Sequence, residues 1–232
     1  MKTLLLAAAA LPFTSLAFAE EAKQMSITAE EQKALTPDAV LANLMEGNKR
    51  FASRNLTDLN IKENIEATSI GQHPSAVILS CLDSRVPVEN VFDQGIGDIF
   101  VGRVAGNVEN VDLLGSFEFA TKLAGAKLVM VLGHEACGAV KGACDQAKMG
   151  NLTALLDKIQ PAVKAVEGDF PEDQRTSKNM DFVNKVVEEN VRIRVADIRK
   201  DSPILAELEK SGDIKIARAI YSLQTGEVTL LD

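Results

Sequence analysis

The chain has 232 residues, 46% of them hydrophobic and 25% charged, with a formal net charge of -8 and a pI near 5.0. That length and apolar content suffice for one domain with a sizeable core. The acidic balance argues against a nucleic-acid partner, because phosphate binding needs a concentrated excess of Lys and Arg.

Met1-Lys-Thr is followed by an apolar segment to about Leu16 and then by Ala17-Phe-Ala19 before the charged Glu20-Glu21. This layout predicts a secretory signal peptide over 1–19 and a single domain over 20–232, with a periplasmic or secreted destination. The apolar part is too short to span a bilayer, and no later run is long and apolar enough, so no membrane span is expected in the mature chain.

A helical arm comes next. Thr28-Ala-Glu-Glu31 reads as a capping box, and Thr36-Pro37 opens a second helix carrying Val40, Leu41, Leu44, Met45 and Phe51 at helical spacing. With no sheet of its own to cover, that apolar face is expected against the core or a second subunit. Residues 53–69 are mostly polar and read as a connection, and Gly71-Gln72-His73-Pro74 is a turn signal. The runs 76–80 and 127–132 are too short for buried helices and rich in Val, Ile and Leu, so each reads as a central strand of a parallel sheet. Between them lie a short helix over 87–92, a strand over 98–101, the loop Arg103-Val-Ala-Gly106-Asn107 and a crossover helix over 112–124. Helices are expected over 137–149, 154–166, 181–200 and 202–209, with a polar loop over 168–177. A hairpin formed by 214–221 and 228–231 ends the chain. The fold class is α/β: a mainly parallel central sheet flanked by helices, with an N-terminal helical arm and a C-terminal strand hairpin.

Two polar clusters follow the two central strands: Cys81-Leu-Asp83-Ser84-Arg85 and Gly133-His134-Glu-Ala-Cys137-Gly138. The carboxyl edge of an open α/β sheet is where binding sites form. Two thiols, one imidazole and one carboxylate arriving there make a zinc ligand set, with Cys81, His134 and Cys137 leaving one position open. A Cys81–Cys137 disulfide is the competing reading in an oxidising compartment. Cys144 reads as a packing residue. Asp83 either accepts a hydrogen bond from the metal's water, with Arg85 forked onto its carboxylate, or takes the fourth position itself. A loop-stabilising Asp83–Arg85 ion pair is the plainer alternative.

Cys81-x-Asp83-x-Arg85 with His134-x-x-Cys137 resembles the β-class carbonic anhydrases, and the resemblance extends over nearly all the mature chain. It takes in Gly47-Asn48-Lys49-Arg50-Phe51, Gln72, Arg103-Val-Ala-Gly-Asn107, Ala219-Ile-Tyr221 and Thr225-Gly226-x-Val228. The resemblance implies reversible hydration of carbon dioxide to bicarbonate by zinc-bound hydroxide, with one Zn2+ per subunit. It implies Cys81, His134 and Cys137 as metal ligands and Asp83 with Arg85 as the activating dyad. Gln72 and Phe100 become substrate-binding residues, Phe100 across a dimer interface, in a homodimer or homotetramer. Val104 departs from the Asn of many members. Ile78 and Ser80 replace the Trp and Gly of members with a bicarbonate-regulated closed site, which favours water as the fourth ligand. His73 reads as a proton relay or as a plain surface group. Two alternatives keep the metal: hydrolysis of carbon disulfide or carbonyl sulfide, and a non-catalytic zinc-binding assembly protein.

Overall fold

The structure is a computed structural model and describes residues 27–232; the expected signal peptide lies outside the described residues. Helix α1 (Ala29–Ala34) begins with the capping box: Thr28 Oγ1 accepts from the Glu31 N–H, and the Thr28 N–H donates to Glu31 Oε2 at 2.8 Å. Thr36 caps α2 (Pro37–Ala52) with its side chain alone, accepting from the Ala39 N–H. Both helices were legible from their caps.

The sheet carries five strands in the order β2-β1-β3-β4-β5: β1 (Ala76–Ser80), β2 (Ile99–Arg103), β3 (Leu128–His134), β4 (Lys215–Tyr221) and β5 (Val228–Leu230). The first four pair in parallel and β5 is antiparallel to β4. Every residue of β1 and β3 is buried, as their unbroken apolar runs require when both sheet faces are covered. Alternation divides their side chains. Ile78, Leu128, Met130 and Leu132 pack with α2 and α4 (Val88–Val91), while Val77, Leu79, Val129 and Val131 face α5 (Val111–Glu118), α9 (Met180–Asp201) and α10 (Pro203–Ser211). Each such side chain contributes about 1.5–3 kcal/mol by leaving water.

Four boundaries differ from the sequence reading. Residues expected as a plain connection include α3 (Ile61–Thr68), capped by Asn60, whose side chain accepts from the Glu63 N–H. Helix α5 ends early and passes into a π-helical turn over Phe119–Leu123. Helix α6 is only Gly138–Cys144, stopped where Gln146 turns to φ 52°. The helix expected over 154–166 is two, α7 (Gly150–Asp157) and α8 (Gln160–Val166), with Pro161 in the first turn of the second, where its missing N–H costs nothing.

Helix α9 dominates the back of the sheet. Phe182, Val183, Val186, Val187, Val191, Val195 and Ile198 form its buried stripe. Gly133 permits its approach beside the end of β3: a Cβ there would stand 2.6 Å from Val191 Cγ2. Two polar residues, Asn190 and Arg194, interrupt the stripe. Arg194 pairs with Glu109 at 3.1 Å, with both side chains nearly out of solvent, and reaches Asp197 at 3.0 Å. Replacing Arg194 by Leu would strand the Glu109 carboxylate, a loss of about 3–5 kcal/mol in urea unfolding. The double variant E109L/R194L should recover most of that; a double variant as unstable as R194L would show that the ion pair is not what matters.

Candidate metal centre

Strands β1 and β3 are adjacent and in register, Ser80 opposite Leu132, so Cys81 emerges beside His134 at the sheet's carboxyl edge. Neighbouring strands run about 4.8 Å apart. The tight turn Glu135-Ala136 then returns Cys137 to the same place, at the N-cap of α6. Ala136 holds φ 53°, a conformation uncommon for a residue with a Cβ. The result is a buried group in which Cys81 Sγ, Cys137 Sγ and a His134 ring nitrogen lie within 4.8 Å of one another. The sulfurs are 3.9 Å apart and all three cysteines are free, so no disulfide joins them.

The imidazole is oriented for a metal. His134 Nδ1 sits 2.8 Å from the Glu135 carbonyl, which only accepts, so Nδ1 carries the proton and Nε2 presents its lone pair. Nε2 is buried without a hydrogen-bond partner, a costly arrangement that a cation relieves. Cys81 Sγ accepts from the backbone N–H groups of Gly106 at 3.3 Å and Asp83 at 3.4 Å. Its contact with Cys137 and these two amides favour the Cys81 thiolate against its burial, while the same contact and burial push Cys137 up. This soft, convergent set of two sulfurs and one nitrogen fits zinc. Cys144 ends α6 in the apolar cluster that also packs Cys81 and Cys137 but is not one of the three donors, and burial pushes its thiol up to about 12.

Beside the group, Asp83 is gripped by Arg85. The guanidinium donates from Nε to Oδ1 at 2.9 Å and from Nη2 to Oδ2 at 2.7 Å, and the Arg85 backbone N–H donates to Oδ1 at 2.9 Å. These bonds hold the carboxyl well below the usual carboxylate range. Asp83 Oδ2 stands 3.8 Å from His134 Nε2, facing the donors without being one of them. Arg103, which the sequence places as a cation at this edge, braces the loop: it donates to the carbonyls of Cys81 at 2.9 Å and Asp83 at 2.6 Å. An Arg ending one strand beside a metal-binding loop was the available signal for that role.

Two expected site residues are not brought here within one chain. Gln72 is exposed before β1, at the amino edge of the sheet, opposite Cys81. Phe100 lies mid-strand on the edge strand β2, edge-to-face with Phe119 at 6.3 Å between ring centroids. His73 shares the amino edge with Gln72.

Comparison with known proteins decides the family. Residues 76–228 match the family model described as carbonic anhydrase. The chain belongs to the β-carbonic anhydrases. It is 35% identical over 202 residues to carbonic anhydrase 2 of Mycobacterium tuberculosis (strain ATCC 25618 / H37Rv), spanning 84% of this chain and 93% of that one. Carbonic anhydrase of Mycolicibacterium smegmatis is 32% identical over the same shares. Among solved structures, the β-carbonic anhydrase CcaA superposes with a TM-score of 0.65 at 25% identity, over 83% of this chain and 87% of that one. The fold of CafA from Aspergillus fumigatus also matches, with a TM-score of 0.65 at 24% identity over 84% and 90%. Zinc is the metal of this family, and Cys81, His134 and Cys137 are the residues that would hold it. Metal analysis of the purified β-carbonic anhydrase should find about one zinc per chain. C144S should keep it and C137S should lose it; equal loss in both variants would contradict the assignment.

Proposed function

We propose that this β-carbonic anhydrase hydrates carbon dioxide reversibly to bicarbonate and a proton at the Cys81–His134–Cys137 centre, with Asp83 and Arg85 as the activating dyad. The observation that carries the reading is the buried three-donor group with an ionised carboxylate held beside it. Zinc held by these residues supplies a Lewis acid that makes water nucleophilic near neutral pH. Asp83, kept anionic by Arg85, can only accept hydrogen bonds: Oδ2 faces the donors and can orient a water's O–H beside them. Because its carboxyl is held so acidic, Asp83 stays ionised at neutral pH and does not store the released proton. Arg85 is largely exposed, so the dyad borders solvent. The carboxylate's turn toward Arg85 favours an open fourth position over a site closed by Asp83.

Gln72 and Phe100 enter the pocket on this reading from a second copy of the chain. In support, Phe100 lines an apolar groove along the unpaired edge of β2 with Val101, Leu113 and Phe119, and the nearby Val111 and Leu123 are 78% and 76% exposed. An edge strand flanked by exposed apolar side chains is a site for pairing with another chain. One fold relative, from Sordaria macrospora, is described as tetrameric. The leader-like start, Lys2 with the apolar run and Ala17-Phe-Ala19, supports export to the periplasm or medium and a mature domain over 20–232.

Stopped-flow hydration assays above pH 8 test the chemistry. D83N should keep its zinc while turnover falls by about 10²-fold or more; unchanged turnover would remove the dyad from the mechanism. Light scattering on a sizing column should show a dimer or tetramer, and a fully active monomer would exclude Gln72 and Phe100 from the pocket.

A further inference from the structure

Helix α9 supplies no metal ligand, yet two of its asparagines grip the backbone of the two loops that orient the donors. Asn184 Oδ1 accepts from the Ala136 N–H at 2.9 Å. That N–H and the Glu135 carbonyl belong to one peptide unit, and the carbonyl accepts from His134 Nδ1 at 2.8 Å. The peptide is therefore held at both ends, by Asn184 on one side and the imidazole on the other. Hydrogen bonds in such a chain polarise one another. Ala136 stands in the left-handed region, so the turn needs an external hold to persist.

Asn190 does the equivalent for the sulfur. It is 1% exposed, and its Nδ2 donates to the Gly106 carbonyl at 2.9 Å. Gly106 adopts φ 71°, and its own N–H donates to Cys81 Sγ at 3.3 Å. The two peptide planes that meet at Gly106 are thus tied, one to the thiolate and the other to α9. A glycine left free on its carbonyl side has many conformations that turn its N–H away. A Cβ at this position would meet Ile159 Cδ1 at 2.7 Å and would have to hold a left-handed φ, which glycine does without strain.

We propose that Asn184 and Asn190 are positioning residues of the metal centre, setting through the Glu135–Ala136 peptide and through Gly106 the imidazole and the Cys81 thiolate in ligating geometry. The inference rests on the metal-centre reading above. It explains why amides, and not further aliphatic residues, stand on a helix otherwise packed with valines. It also requires opposite chemistry at the two positions: an acceptor at Asn184 and a donor at Asn190.

Chelator competition with zinc, on the full chain after metal removal, tests it. N190A should weaken zinc binding about 10–100-fold, since it cannot donate, and N184A should fall in the same range. N184D should bind close to wild type, because a carboxylate oxygen still accepts from the Ala136 N–H. The thiolate-to-cobalt absorption band of the Co2+ form should change in N190A and persist in N184D. Thermal unfolding of the metal-free proteins identifies which variants fold, and if N190A does not, the half-buried Asn184 pair of variants carries the test. A folded N190A with wild-type zinc affinity and cobalt spectrum, or N184D as weak as N184A, would overturn the inference. Failure of the wild-type chain to bind zinc would instead remove the metal centre itself, and this inference with it.

Discussion

Two sulfurs and an imidazole lie within 4.8 Å of one another in a site almost closed to water, and everything else about this chain follows from keeping them there. Such a group is unfavourable when isolated, because buried polar atoms without partners cost free energy and neighbouring thiolates repel. The protein meets that cost locally. Backbone amides of Gly106 and Asp83 stabilise one sulfur, a carbonyl fixes the imidazole tautomer, and Arg103 holds the loop between Cys81 and Asp83. The orphaned His134 Nε2 is the one atom of the group with nothing assigned to it except a cation.

The architecture supplies the distances. Adjacent parallel strands are spaced at about the separation that two ligands of one ion require, and β1 and β3 end almost level at the edge where the loops emerge. The short return through Ala136 adds the second thiol from the N-cap of α6. Across the back of the sheet, α9 lies close because residue 133 has no side chain. The Asp83 carboxylate stays outside the ligand group because its guanidinium partner, two residues on, occupies it.

Much of this was legible from residues alone. The capping box of α1, the unbroken apolar runs of β1 and β3, the long amphipathic stripe of α9 and the His-x-x-Cys spacing each express a local rule. The misread stretches depend on something nonlocal or subtle. Helix α3 exposes Ile61 and Ile65 and buries Asn64, the reverse of the pattern that marks a core-facing helix. Helix α6 is cut short at Gln146, a residue type with no marked preference for a left-handed conformation. Arg103 and the asparagines of α9 act on backbone atoms, so only the folded chain shows what they touch.

X-ray absorption at the zinc edge of the metal-loaded protein tests the central claim most directly. The account predicts two sulfur scatterers at about 2.3 Å with one imidazole nitrogen and one further light atom at about 2.0–2.1 Å. A metal shell lacking sulfur, one with a single sulfur, or sulfurs oxidised to a disulfide in active protein would contradict it.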